Sequence, residues 1–250
     1  MNAAEFQADT PYARLGTLAI DAPVDARRTF IQKTYTHLAV AVYAFVALEW
    51  LFLSLGWDEP FMRMLSGQPM YWLGVMLAFV AVNWVADKWA RSATSLPMQY
   101  AGLFLGVVAW AVIFIPMIAI AKLLTLNVAE YTIGVIPAAG ITTLVMFGGL
   151  TAVAFLTKKD FSFLGGILGM SMFAAIALIV VSMIFGFQLG IWFSAAMVIA
   201  ACGYILYDTS NIIHHYRTDQ YVAASLALFA SVALLFWYVM QILMSLSSRD

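Results

Sequence analysis

Seven apolar stretches, each close to the length of a bilayer-crossing helix, decide what this chain can fold into. They are residues 37–55, 70–86, 98–124, 131–156, 163–185, 189–213 and 223–246. A spanning helix takes roughly 20 mostly apolar residues at 1.5 Å rise each. Inside the hydrocarbon layer every backbone N–H and C=O must be satisfied by its own helix or by a closed barrel. None of the stretches alternates as barrel strands do. The expectation is therefore an all-α membrane protein, a bundle of seven transmembrane helices. Composition agrees: 64% of the 250 residues are hydrophobic and 10% charged, against about 45–50% and 25% in soluble domains. Pro116 is expected to break the third stretch, and Pro137 falls in the first turns of the fourth.

The remaining residues set the organisation. Residues 1–33 form a polar arm with Glu5, Asp9, Arg14, Asp21, Asp25, Arg27 and Arg28, and residues 34–250 form the membrane domain. The arm has no apolar core of a secretory leader, and with Pro11 and Pro23 in it no long helix is expected there. Residues 56–60 and 157–160 read as turns. Placing the N-terminus in the cytoplasm puts Arg14, Arg27, Arg28, Lys33, Lys88, Arg91, Lys158, Lys159 and Arg217 inside, and only Arg63, Lys122 and Arg249 outside. Positive charge is retained on the cytoplasmic side, so the reading is N-terminus in and C-terminus out. Gly102 and Gly106, Gly165 and Gly169, and Ala223, Ala227 and Ser231 have the four-residue spacing that lets membrane helices approach. No basic patch with interleaved aromatics is present, so nucleic acid is not an expected partner. Cys202, the single cysteine, reads as a small packing residue.

Two acids lie within the spans, and intramembrane acids are functional sites by default. Asp208 shares a helix face with Asn211 and His215, a polar stripe leading to the cytoplasmic end. Low dielectric and the negative pole of the helix C-terminus both disfavour its charged form, which makes it a proton-sensitive switch. The alternative is a carboxyl tied to neighbouring helices with no transport role. Glu49 lies in the outer part of the first span, where three placements are open: lining an outer cavity, pairing with Lys122, or reaching the interface. Neighbouring His214 and His215 diverge on a helix and lack a third ligand, so no metal site and no cofactor is expected. Two carboxylates are too few for tight calcium binding, which leaves only weak or transient cation contacts. Hydrolase, metalloprotease and P-loop motifs are absent, and no second intramembrane aspartate supports an aspartyl protease. The chain is not expected to be an enzyme.

Residues 207–213 (YDTSNII), 157–166 (TKKDFSFLGG) and the ending Ser247-Ser248-Arg249-Asp250 resemble the Bax inhibitor-1 (TMBIM) family, and within it the bacterial YccA branch. The motifs lie within residues 150–250; before them only hydropathy and span number agree. The resemblance implies seven helices with the last one central, wrapped by the other six. It implies a pH-sensitive calcium or cation leak, gated by an acid in the sixth span paired with an aspartate in the seventh. Asp208 matches the first position; Ser231 stands where the second aspartate would be, and a serine can hydrogen-bond Asp208 without forming a like-charge pair. The family's latch arginine is not placed by the sequence, with Lys88 and Arg91 in the right region. The YccA branch further implies a bacterial inner-membrane location and an alternative role: a non-conducting modulator or substrate of the membrane protease FtsH, engaged through the N-terminal arm. A small-molecule transporter is disfavoured, since Pro116 and Pro137 do not occupy corresponding positions of two halves.

Overall fold

The structure, a computed structural model, describes residues 16–67, 69–127 and 134–247. Eight helices occur among them: α1 (Val24–Ser54), α2 (Asp58–Gly67), α3 (Pro69–Ala90), α4 (Leu96–Asn127), α5 (Val135–Thr157), α6 (Leu164–Phe185), α7 (Gly190–His214) and α8 (Tyr221–Ser247). All except α2 are long and apolar enough to cross a membrane. The protein is an all-α membrane bundle.

Three boundaries differ from expectation, each for a local reason. Helix α1 begins at Val24, inside the stretch read as a polar arm. Pro23 sits at its N-cap, where a missing N–H costs nothing, and Asp25 in the first turn suits the helix dipole. The turn expected at residues 56–60 runs instead into α2, with Asp58 and Glu59 in its first turn. Helix α4 passes through Pro116 without a break. Residues 111 and 113–119 of that helix are all buried by neighbours, and in a packed membrane interior surrounding helices tolerate the lost backbone bond. The start of the fourth stretch (131–133), residues 1–15 with Pro11, and the ending 248–250 lie outside the described residues.

Helix α8 is the centre. It packs on α7, α1, α4, α5 and α3, while α6 lies chiefly against α7 and meets α8 in a small cluster of Ala175, Met197 and Tyr238. Helix α4 is a second buried element: 67% of its most apolar window is enclosed, against 72% for α8 and 6% for α3. Small residues make these approaches possible. A Cβ on Gly102 would stand 2.5 Å from the Ala86 carbonyl oxygen and the Ala90 nitrogen of α3, and one on Gly106 would stand 2.6 Å from Leu226 of α8. Gly165 is pressed on Tyr207, whereas Gly169 meets open space. On α1 the buried residues Phe30, Thr34, Leu38, Ala41, Phe45, Glu49 and Phe52 follow a three-and-four spacing, one stripe turned to the core. Glu49 is on that stripe.

Lysine and arginine gather at one end. The start of α1, the ends of α3 and α5, and the α7–α8 loop carry Arg27, Arg28, Lys33, Lys88, Arg91, Lys158, Lys159 and Arg217; among the described residues the opposite end carries Arg63 and Lys122.

Candidate functional site

Asp208 lies on the buried face of α7 with Ala201, Ile205, Thr209 and Ile212. It is 9% exposed, and Ser231 Oγ of α8 donates a hydrogen bond to its Oδ2 at 2.5 Å. The two residues that sequence reasoning set opposite one another are thus in contact.

On one side of this pair a cavity of about 410 Å³ opens at the basic end. Asp208, Asn211 and His215 line it together, as their shared helix face requires, with Arg91, Ser162, Tyr207, Tyr216 and Gln220. Arg91 rather than Lys88 reaches this cavity; Lys88 lies over the Trp84 ring at 5.2 Å. The Arg91 guanidinium is held by Asp87 (Nε to Oδ1 2.8 Å and to Oδ2 2.9 Å) and donates to the Tyr216 hydroxyl at 3.3 Å. Burial pushes the Tyr216 phenol up to about 12, so it stays a neutral hydroxyl on the cavity wall.

Two clasps hold the mouth. Ser210 Oγ accepts from the Phe161 N–H at 2.8 Å, and Asp160 accepts from the Ser162 N–H at 2.9 Å and meets His215 Nε2 at 3.1 Å. The Ser162 N–H, with His215 beside it, holds the Asp160 carboxyl down at about 2. His215 is therefore a partner of Asp160, and His214 Nδ1 faces the Ser210 carbonyl at 2.9 Å. The second clasp is the segment before α1. The Ala19 N–H donates to the Tyr216 carbonyl at 2.8 Å, and the Thr218 N–H donates to the Thr17 carbonyl at 3.0 Å, an antiparallel bridge across the α7–α8 loop. Arg27 Nε anchors this strap through the Ala19 carbonyl at 2.7 Å.

On the other side of the pair lies a larger apolar cavity of about 860 Å³, walled by α3, α4, α6, α7 and α8, with Ser231 in its lining. Ser231 belongs to this cavity and Asp208 to the polar one, so the hydrogen bond between them stands where the two approach.

Glu49 neither reaches the interface nor pairs with Lys122. It is 6% exposed, so it does not reach the interface, and it lines neither cavity. Lys122 is exposed and forms no ion pair with it. Among the described residues neither carboxylate oxygen of Glu49 has a hydrogen-bond partner.

Arg91, Tyr216 and Asp160 escaped sequence reasoning as site residues. They sit at helix ends or in loops, where a charge reads as a topology signal; only Arg91 had a hint, shared with Lys88, from the family resemblance that puts a latch arginine in that region. Among the described residues no three His, Cys, Asp or Glu side chains converge as a metal site would need.

The chain is 38% identical over 113 residues to Bax inhibitor 1 of Schizosaccharomyces pombe, covering 43% of this chain and 41% of the relative. It is 40% identical over 111 residues to a BI1-like protein of Arabidopsis thaliana (41% and 42%). It is 36% identical over 118 residues to the modulator of FtsH protease YccA of Escherichia coli (45% and 51%). The match thus spans about half or less of the length of these relatives. The model of a family described as inhibitor of apoptosis-promoting Bax1 matches residues 27–248, nearly the whole chain. By that match the chain belongs to the Bax inhibitor-1 family of membrane proteins.

Proposed function

We propose that the protein is a pH-sensitive leak for calcium or other cations across a bacterial inner membrane, with its N-terminus cytoplasmic and Asp208 as the gating carboxylate. The observation that carries this reading is the Asp208–Ser231 hydrogen bond between a polar cavity at the basic end and an apolar cavity in the other half. A carboxyl at such a junction acts as a gate because its two protonation states differ in what they can hold. Ionised, it accepts from Ser231 and attracts a cation; protonated, it can do neither in the same way. Asn211, His215 and Arg91 shape the field on the approach. With one carboxylate at the junction and no oxygen cage, cation contact is weak and transient, as flux requires. The gate is a carboxyl–hydroxyl pair, so a single proton suffices to switch it.

The test is flux in liposomes of purified protein loaded with a calcium-sensitive dye, over pH 5–8. Asp208→Asn is expected to change the flux and flatten its pH profile, and Ser231→Ala to raise the flux at neutral pH. An Asp208→Asn profile identical to the parent removes Asp208 as the gate.

A second reading is favoured by the strap. The segment 17–19 bridges the α7–α8 loop at the basic end, which is the cytoplasmic end if positive charge stays inside. In this reading the protein is a non-conducting modulator or substrate of FtsH, engaged through residues 1–22. Deleting 1–22 then abolishes co-purification with the protease while Asp208→Asn leaves it intact. Undiminished association of the deletion would exclude this role.

A further inference from the structure

The larger cavity has a lining, an opening and a length that together specify an occupant. We propose that it binds one acyl chain of a membrane lipid, entering sideways between α3 and α6. Its walls are apolar and aromatic, with Trp72, Phe79, Trp110 and Trp237 among them. A space of about 860 Å³ with such walls is within the size range of lipophilic ligand sites, and apolar cavities stay dry. Val80 of α3 and Ile176 of α6 both line it and are 52% and 38% exposed. Helices α3 and α6 do not close that side: α3 packs on α4, and α6 on α7. Outside the bundle at this depth is hydrocarbon, and an opening to hydrocarbon fills with it.

Length and polarity select a lipid chain over a compact solute. Along α8 the lining runs from Ala230 to Ser245. Fifteen residues of helix rise about 22 Å, more than half of a hydrocarbon core about 30 Å thick, an elongated space that suits an extended acyl chain. Apart from Ser231 and Tyr204 near the junction, the polar side chains gather at the far end, where a headgroup would lie. There Ser194 Oγ donates to Gln241 Oε1 at 2.8 Å, and Gln188 lines the rim. The inference stands on this geometry alone. On the leak reading it adds that the chain's tip abuts Ser231, so that an occupied cavity blocks the route.

The test reads binding without flux, so its failure and that of the leak are distinguishable. The full chain is reconstituted in phosphatidylcholine vesicles with brominated or unbrominated acyl chains, and tryptophan quenching is measured. Trp50, Trp57, Trp84, Trp89 and Trp192 are 72%, 48%, 65%, 38% and 86% exposed, lie outside the cavity and report ordinary lipid contact. Trp110 is 9% exposed and Trp237 half-buried, and both line the cavity. A Trp50→Phe/Trp57→Phe/Trp84→Phe/Trp89→Phe/Trp192→Phe variant should still lose at least a third of its emission in brominated vesicles. Filling the cavity with Ala230→Phe, or with Ser182→Phe on the more loosely packed α6, should halve that loss. Emission from that variant that brominated lipid leaves unchanged overturns the proposal. So does quenching by a brominated short-chain detergent but not by lipid, which would assign the cavity to a compact amphiphile.

Discussion

Asp208 and Glu49 are both acids on core-facing stripes of membrane helices, 9% and 6% exposed, yet their surroundings are opposite. Asp208 has a hydroxyl donor on the facing helix and one wall on a polar cavity with Arg91, Asn211 and His215. Among the described residues Glu49 has no hydrogen-bond partner for either oxygen, and it lines neither of the two cavities. Burial alone therefore does not separate the two acids. A cavity and a hydrogen-bond partner do, because a proton-linked gate needs a route for the proton and a bond that depends on it. The two halves of the bundle divide accordingly, polar and clasped at the basic end, apolar at the other.

The largest expected effect separates the two acids by function. Asp208→Asn should change the pH dependence of liposome flux tenfold or more, about 1.4 kcal/mol or greater at the gate, whereas Glu49→Gln should stay within twofold. Equal effects would erase the distinction.

Stability sharpens the same contrast with opposite signs. Ser231→Ala leaves Asp208 without its donor and should cost about 1–3 kcal/mol, read as a lower apparent Tm in detergent micelles. Glu49→Met removes two unsatisfied buried oxygens for an apolar chain of similar length and should leave Tm unchanged or raise it. A marked fall for Glu49→Met would mean that the carboxyl has a structural role the geometry does not reveal.

The clasps of the basic end give smaller effects. Gly16 has no room for a side chain, since a Cβ would stand 2.8 Å from Asp219 Oδ1 and 2.9 Å from the Asp219 nitrogen. Gly16→Val should lift the strap, seen as faster limited proteolysis before α1 at a cost of about 1 kcal/mol in overall stability.

The smallest effect concerns Asp160. Its carboxyl titrates at about 2 in the fold and near 3.9 when unfolded. A depressed value means that its contribution is fully present above about pH 4 and is lost as pH falls toward about 2. Between pH 7 and 3 the parent should lose slightly more Tm than Asp160→Asn. The difference should stay below about 1 kcal/mol, because both Asp160 and His215 are half-exposed.

Much of this was legible in the residues. Each span could be placed because roughly 20 apolar residues have one solution in a bilayer. The facing of Asp208 and Ser231 could be read from the resemblance to the family. Chain ends of helices were less legible: Pro23 reads as a breaker but serves as an N-cap, and Pro116 reads as a break but is carried through by its neighbours. The strap from 17–19 to 216–218 has no sequence signal, since two short backbone segments about 200 residues apart pair through N–H and C=O groups that every residue shares.

By itself the sequence determined the fold class, the number of spans, the polarity of their ends and the two acids worth weighing. Those follow from local chemistry, because hydropathy and charge act on each segment independently of the rest. Only the tertiary structure decided which acid has a partner, that Arg91 and not Lys88 faces the cavity, and that a second, apolar cavity reaches the same junction from the other side. Those depend on which helix faces meet, and that is fixed by packing small residues such as Gly102 and Gly106 against particular neighbours.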